Sequence, residues 1–161
     1  VHEGRSCQFA RKYLPTIGLT HVEIEDVCCA IICTGPRSKI DKVFFRGDVA
    51  RHMAYILVTA DYLAQISAAD YLEKLPRLYL EFKESYEHDN IPIEERPYNS
   101  ARELLEKTEA FCREYVFPIL DEKFGGVHRY LTDQNGTNTY IDAVKRNLAE
   151  LQNQLSSAEI I

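Results

Sequence analysis

Asp61 is the residue whose type and place most invite chemistry. It stands inside the apolar length of a long helical pattern, in the run Thr59-Ala60-Asp61-Tyr62-Leu63-Ala64-Gln65-Ile66. A carboxylate set there costs free energy unless it is paired, hydrogen-bonded or bound to a metal. Gln65 follows one helical turn along the same face. Two readings stand side by side. Asp61 is either half exposed, taking a hydrogen bond from Gln65 or a tyrosine, or it serves a site. Lys74 has the same ambiguity: it could meet a substrate phosphate, or pair with Asp70 one turn before it on a helix surface. His2 and Glu3 could line a pocket edge, with fraying at a chain end as the plain alternative.

The other chemistry-bearing residues read as structural. His88-Asp89 has the composition of a metal dyad, but it follows Asp61 and falls in a charged stretch bounded by prolines, so it is a decoy. Cys29 and Cys33 share a helical face, yet no CxxC pair accompanies them, and a zinc site is not expected. His52 and Tyr55, on the helix of Asp61, read as core edge, and Tyr71, Tyr79 and Phe82 as packing. The chain carries no P-loop, no glycine-rich dinucleotide fingerprint and no GxSxG elbow.

The elements that must position these residues are helical almost throughout. Cys7, Ala10, Tyr13 and Leu14 give helical spacing over 6–14, stopped by Pro15 and Gly18. Thr20 and Glu23 form a capping-box pair opening a helix with the face Ile24, Val27, Cys28, Ile31 and Ile32, ended by Gly35-Pro36. Val43-Phe44-Phe45 is extended or tucked under a helix. Asp48 is an N-cap candidate for a helix over 49–67, whose face is Met53, Ile56, Leu57, Ala60, Leu63 and Ala64. A helix over 69–86 is interrupted by Pro76, which kinks it or starts a new first turn. A charged loop over 87–99 precedes a second capping pair, Ser100 and Glu103, and a helix that Pro118 breaks or restarts. Gly125-Gly126 marks a turn, 127–131 a short helix and 133–138 a second turn. The last helix runs over 140–155 on Ile141, Val144, Leu148, Leu151 and Leu155. Strand signals are nearly absent, so the fold class is all-α: a compact bundle of about six to seven helices in a single domain over 1–161.

Composition narrows the function classes. The 161 residues are 45% hydrophobic and 27% charged, ordinary globular values. Lys and Arg number 19 against 25 Asp and Glu, a net charge of −6. A protein that tracks phosphates on nucleic acid normally carries the opposite sign, so no nucleic-acid partner is expected. No apolar stretch reaches the roughly 18–20 residues that span a bilayer, so no membrane partner is expected either. Five cysteines, three of them in the run 27–33, suit reduced thiols in a cytoplasmic protein better than a disulfide framework. The first residue is Val, which fits a removed leader or a piece of a longer chain.

The run TADYLAQISAADYLEKLPRLYLEFKE over 59–84 resembles the C-terminal half of HD-domain proteins, a superfamily of metal-dependent phosphohydrolases. The opening His2-Glu3-Gly4-Arg5-Ser6, with Ala10 and Leu14-Pro15, is similar to the HExxS segment that follows that family's metal-binding dyad. The tail 140–148 is similar to its last helix. The resemblance implies an HD-like helical domain in which an early His, a His-Asp dyad and a later Asp bind a divalent metal. Asp61 matches the later Asp, and His2, Glu3, Gln65 and Lys74 become candidate substrate contacts. The implied reaction is attack of a metal-bound water on a nucleotide or other small phosphate ester, with the metal identity open. The early His and the dyad would precede His2, so the resemblance implies an N-terminally shortened domain. Its site is incomplete, so the divalent metal is expected in the intact protein, and the shortened domain is expected to be inactive, with its own metal content left open. The alternative is a non-catalytic helical regulatory or protein-interaction module on the same scaffold. If the chain is a shortened domain, apolar faces left uncovered would favour a homo-oligomer.

Overall fold

The computed structural model describes residues 2–35 and 38–157. Among them the fold is all-α, with no strand. Six α-helices carry it: α1 (His2–Tyr13), α2 (His21–Cys33), α3 (Asp48–Ile66), α4 (Tyr71–His88), α5 (Ala101–Phe111) and α6 (Thr139–Ser156). They fall into two compact units. The first runs up to Tyr62 and takes in Leu120–Tyr130; the second comprises Leu63–Ile119 and the residues from Leu131 on.

In the first unit α1 and α2 pack antiparallel. Cys7, Ala10, Ile24 and Cys28 are buried between them, with Leu14, Leu19, Val27 and Ile31 packed against that core. Small side chains let the two backbones approach: each of the Cys7 and Cys28 thiols donates to the other residue's carbonyl, at 3.6 and 3.8 Å. The turn between the helices is local chemistry. After a 3-10 turn at Leu14–Ile17, Gly18 takes φ 92°, a left-handed conformation that closes the helix end. Thr20 then caps α2 through a reciprocal box, its hydroxyl accepting from the Glu23 N–H while the Glu23 carboxylate accepts from the Thr20 N–H at 2.8 Å. The helix ends at Cys33 with Thr34 as its cap, so Gly35 stands just past the end, where the sequence puts the stop, and Pro36 lies outside the described residues.

Of the two alternatives for Val43-Phe44-Phe45, the run leaves the helical turn with Val43 extended; Phe44 is exposed, and Val43 and Phe45 are half-buried. One expectation is corrected. The core face of α3 is the predicted one only at Leu63. Ala50, Ala54 and Val58 are buried in this unit, and Leu63 and Ile66 in the second, whereas Met53, Ile56, Leu57, Ala60 and Ala64 of the predicted face are exposed. The helix carries two apolar stripes, and the structure buries the one with the smaller residues, which permit close approach. Ala30, Cys33, Ile40, Leu120 and Phe124 are also buried in this unit, Phe124 stacked on Tyr55 with ring centroids 4.7 Å apart.

In the second unit α4 packs against α5, and both contact α6. Pro76 lies inside α4, a single helix from Tyr71 to His88; it neither ends the helix nor opens a new one. Leu75 and Tyr71 are buried, Tyr79 donates its hydroxyl proton to the Asn99 carbonyl at 2.7 Å, and Phe82 stacks on Tyr98. Ser100 caps α5, accepting from the Glu103 N–H at 3.0 Å, while the Glu103 carboxylate reaches the N–H of Asn99. Beyond α5 the chain does not break before Pro118 but widens into a π-helical stretch, Cys112–Val116, and another at Ile119–Lys123. A proline has no N–H to donate, so a wider register next to it keeps the turn wound. The Gly125-Gly126 turn (φ 64° and 69°), the short helix at Val127–Leu131 and the Asp133 turn are where the sequence puts them.

Candidate functional site

The segment 59–84 forms the end of α3, a tight turn and most of α4. The turn is built by two backbone bonds, Ser67 N–H to the Leu63 carbonyl (2.9 Å) and Tyr71 N–H to the Ala68 carbonyl (3.0 Å). Asn147 on α6 is buried beside it. Its side-chain amide donates to the Ile66 carbonyl at 2.8 Å and to the Ala68 carbonyl at 2.9 Å. That one side chain satisfies the Ile66 carbonyl at the end of α3, which has no helical donor, and gives the Ala68 carbonyl a second bond beside that from Tyr71. Sequence reading placed Asn147 in the last helix without a role, because its partners lie some eighty positions away.

Asp61 and Gln65 are both exposed, one turn apart on α3. Asp61 belongs to the first unit and Gln65 to the second. The half-exposed reading of Asp61 therefore describes its surroundings better than burial in an apolar interior. Lys74 is exposed on the first turn of α4 and binds the Asp70 carboxylate at 2.8 Å. This Lys74 partner holds the Asp70 carboxyl below its ordinary range. Glu3 is half-buried on α1, and its carboxylate lies over Gly35: a Cβ there would stand 2.7 Å from Glu3 Oε1. A Cβ there would push that carboxylate aside, the far end of a flexible side chain. His2 opens α1, but its side chain lies outside the described residues.

His88 is the last residue of α4, exposed, with Nδ1 3.0 Å from the carboxylate of Asp89. It is a neighbour pair at a helix end. Cys29 is half-buried and its thiol donates to the Phe44 carbonyl at 3.9 Å, while Cys33 is buried. Burial pushes the thiols of Cys28, Cys33 and Cys112 up to about 11, and Cys7 adds to the shift at Cys28. Among the described residues no group of three or more His, Cys, Asp or Glu side chains could hold a metal ion. Asp61 supplies one carboxylate, and one carboxylate does not fix a catalytic divalent ion. The described residues therefore do not fit the implied metal without further ligands.

One polar cluster escaped the sequence reading. In the first unit Asp121 receives Arg129 at 2.6 Å and lies 3.7 Å from His128 Nε2. Nearby in sequence, Lys123 binds Asp41 at 2.6 Å. Each of these residues sits in a short helical turn with no periodic signal, which is why spacing gave no hint. His52 and Tyr55 do occupy a core edge, His52 exposed and Tyr55 half-buried.

Two shallow clefts are present. One of about 500 Å³ in the second unit has Tyr98, Phe111 and Tyr115 as walls and Lys107 on its rim. Lys107 is already committed to the Pro97 carbonyl (3.1 Å) and the Glu103 carboxylate (2.6 Å). The other, about 470 Å³ between α1 and α2, is apolar apart from Arg5 and Ser6. Neither contains Asp61, Gln65 or Lys74. Comparison with protein-family models, with curated proteins and with solved structures finds no match. No helix is long and apolar enough to cross a membrane among the described residues.

Proposed function

We propose that these residues are the part of an HD-type phosphohydrolase that bears its last metal-binding carboxylate, Asp61. The substrate of the parent is a nucleotide or another small phosphate ester. The observation that carries this reading is the run 59–84, which resembles that superfamily and folds as a helix, a tight turn and a second helix with Asp61 at the helix surface. The remaining ligands, a His and a His-Asp dyad, would come from outside the 161 residues. His2, Glu3, Gln65 and Lys74 are the substrate contacts of this reading, and a cytoplasmic location goes with it.

A second reading, a non-catalytic interaction module, is favoured by the open apolar side of α3. The reading frame upstream of Val1 separates the two. A His followed by a His-Asp within about 100 residues, the scale of a domain, supports the enzyme. The longer protein should then release phosphate from a phosphomonoester only when a divalent metal is added. A start codon adjacent to Val1, or no metal-dependent hydrolysis by the longer protein, overturns it.

A further inference from the structure

Two thiols that neither functional reading uses meet in the seam between α1 and α2. The Cys7 thiol donates to the Cys28 carbonyl at 3.6 Å and the Cys28 thiol to the Cys7 carbonyl at 3.8 Å, and the two side chains also bond to each other. Two cysteines form a bridge without backbone movement only where their side chains face each other across close backbones. Thiols that each reach the other residue's carbonyl meet that condition. Cys29, by contrast, turns to the Phe44 carbonyl, and Cys112 is buried in the second unit.

We propose that Cys7 and Cys28 are a dithiol pair, which a low-molecular-weight disulfide such as glutathione disulfide oxidises to a covalent bond locking α1 on α2. Both thiols are buried, and burial with contact from Cys7 pushes the Cys28 thiol up to about 11. The closed hairpin is therefore inert at neutral pH, and exchange begins when α1 lifts by local unfolding. That opening is accessible, because α1 packs mainly on α2 and on the 3-10 turn that follows it. In the opened hairpin one protein thiolate attacks a sulfur of the small disulfide and expels a small thiolate. The other protein thiolate then attacks the protein-side sulfur of that mixed disulfide and expels the second. Two protein thiols are oxidised to one disulfide, and one small disulfide is reduced to two thiols. The bond spans 21 positions, so it removes most of the freedom of the open hairpin. The inference goes beyond both functional readings and holds whichever is right.

Peptide mapping of the 161-residue chain after equilibration with excess glutathione disulfide tests it. A Cys7–Cys28 linked peptide is expected as the main protein disulfide, forming more slowly than glutathione adds to Cys29, with Cys33 and Cys112 still reduced. In a Cys29→Ser chain, which lacks the half-buried thiol, the bond should raise Tm by roughly 5–10 °C, and dithiothreitol should reverse the rise. Cys28→Ser should abolish both the linked peptide and the rise; Cys7→Ser is the second variant, should the first fail to fold. Cys7 and Cys28 both still free after equilibration, a main linkage between other cysteines, or a Tm unchanged or lowered by the bond overturns the proposal.

Discussion

Replacing Asn147 by alanine should cost far more than its place on an amphipathic helix suggests. The residue is buried, and its amide serves the carbonyls of Ile66 and Ala68 at 2.8 and 2.9 Å. Alanine removes that donor and opens a small void. The Ala68 carbonyl keeps its bond from the Tyr71 N–H at 3.0 Å, so the Ile66 carbonyl bears the loss. A buried polar group left unsatisfied costs about 1–3 kcal/mol. The loss should therefore be about 1–3 kcal/mol, or roughly 3–10 °C in Tm for a chain of this size. Asn147→Asp, with the same shape but acceptors facing acceptors, should do at least as badly. Thermal and urea denaturation followed by circular dichroism reads the change. A loss under about 0.5 kcal/mol, the size of an ordinary surface substitution, would refute the argument.

Two further expectations concern titration. Hydrogen bonds from Thr20, Arg11 and Lys107 hold the carboxyls of Glu23, Glu25 and Glu103, respectively, below their ordinary values in the folded state. Each contributes stability that is fully present above the unfolded pKa and is lost as pH falls through the lower folded value. The urea midpoint should thus drop on the acid side of the ordinary carboxylate range, and Thr20→Ala should shrink that drop; a midpoint that climbs on acidification contradicts the assignment. Of the five thiols, Cys29 is half-buried and the other four are buried. Disulfide-reagent labelling at mildly alkaline pH should modify Cys29 first and the rest only on unfolding, and several fast thiols would count against the burial described.

What was legible in the sequence was mostly local. The Thr20–Glu23 box, the Ser100 cap and the turn at Gly125-Gly126 depend on residues within a few positions of one another, so their spacing is the interaction itself. The side of α3 that packs inward was not legible, because both stripes are apolar and the choice rests on what lies across from them. The continuity of α4 through Pro76 was left as one of two alternatives, and the π-helical stretches after α5 were missed, for a related reason: neighbouring packing decides whether a helix survives a proline. The role of Asn147 is non-local altogether. For the candidate site, sequence reading offered the Asp70–Lys74 pair as one alternative, and the structure has it. Asp61 and Gln65 share an exposed side of one helix, but Glu3 turns to Gly35.

The most direct test of the Asp61 assignment is the metal content of the protein expressed from its full reading frame, measured by elemental analysis alongside Asp61→Ala. Because Asp61 is exposed, the substitution should leave the fold intact, and circular dichroism checks that it does. The account predicts stoichiometric divalent metal in the natural protein and its loss in the variant. Stoichiometric metal retained by a folded Asp61→Ala protein would contradict it.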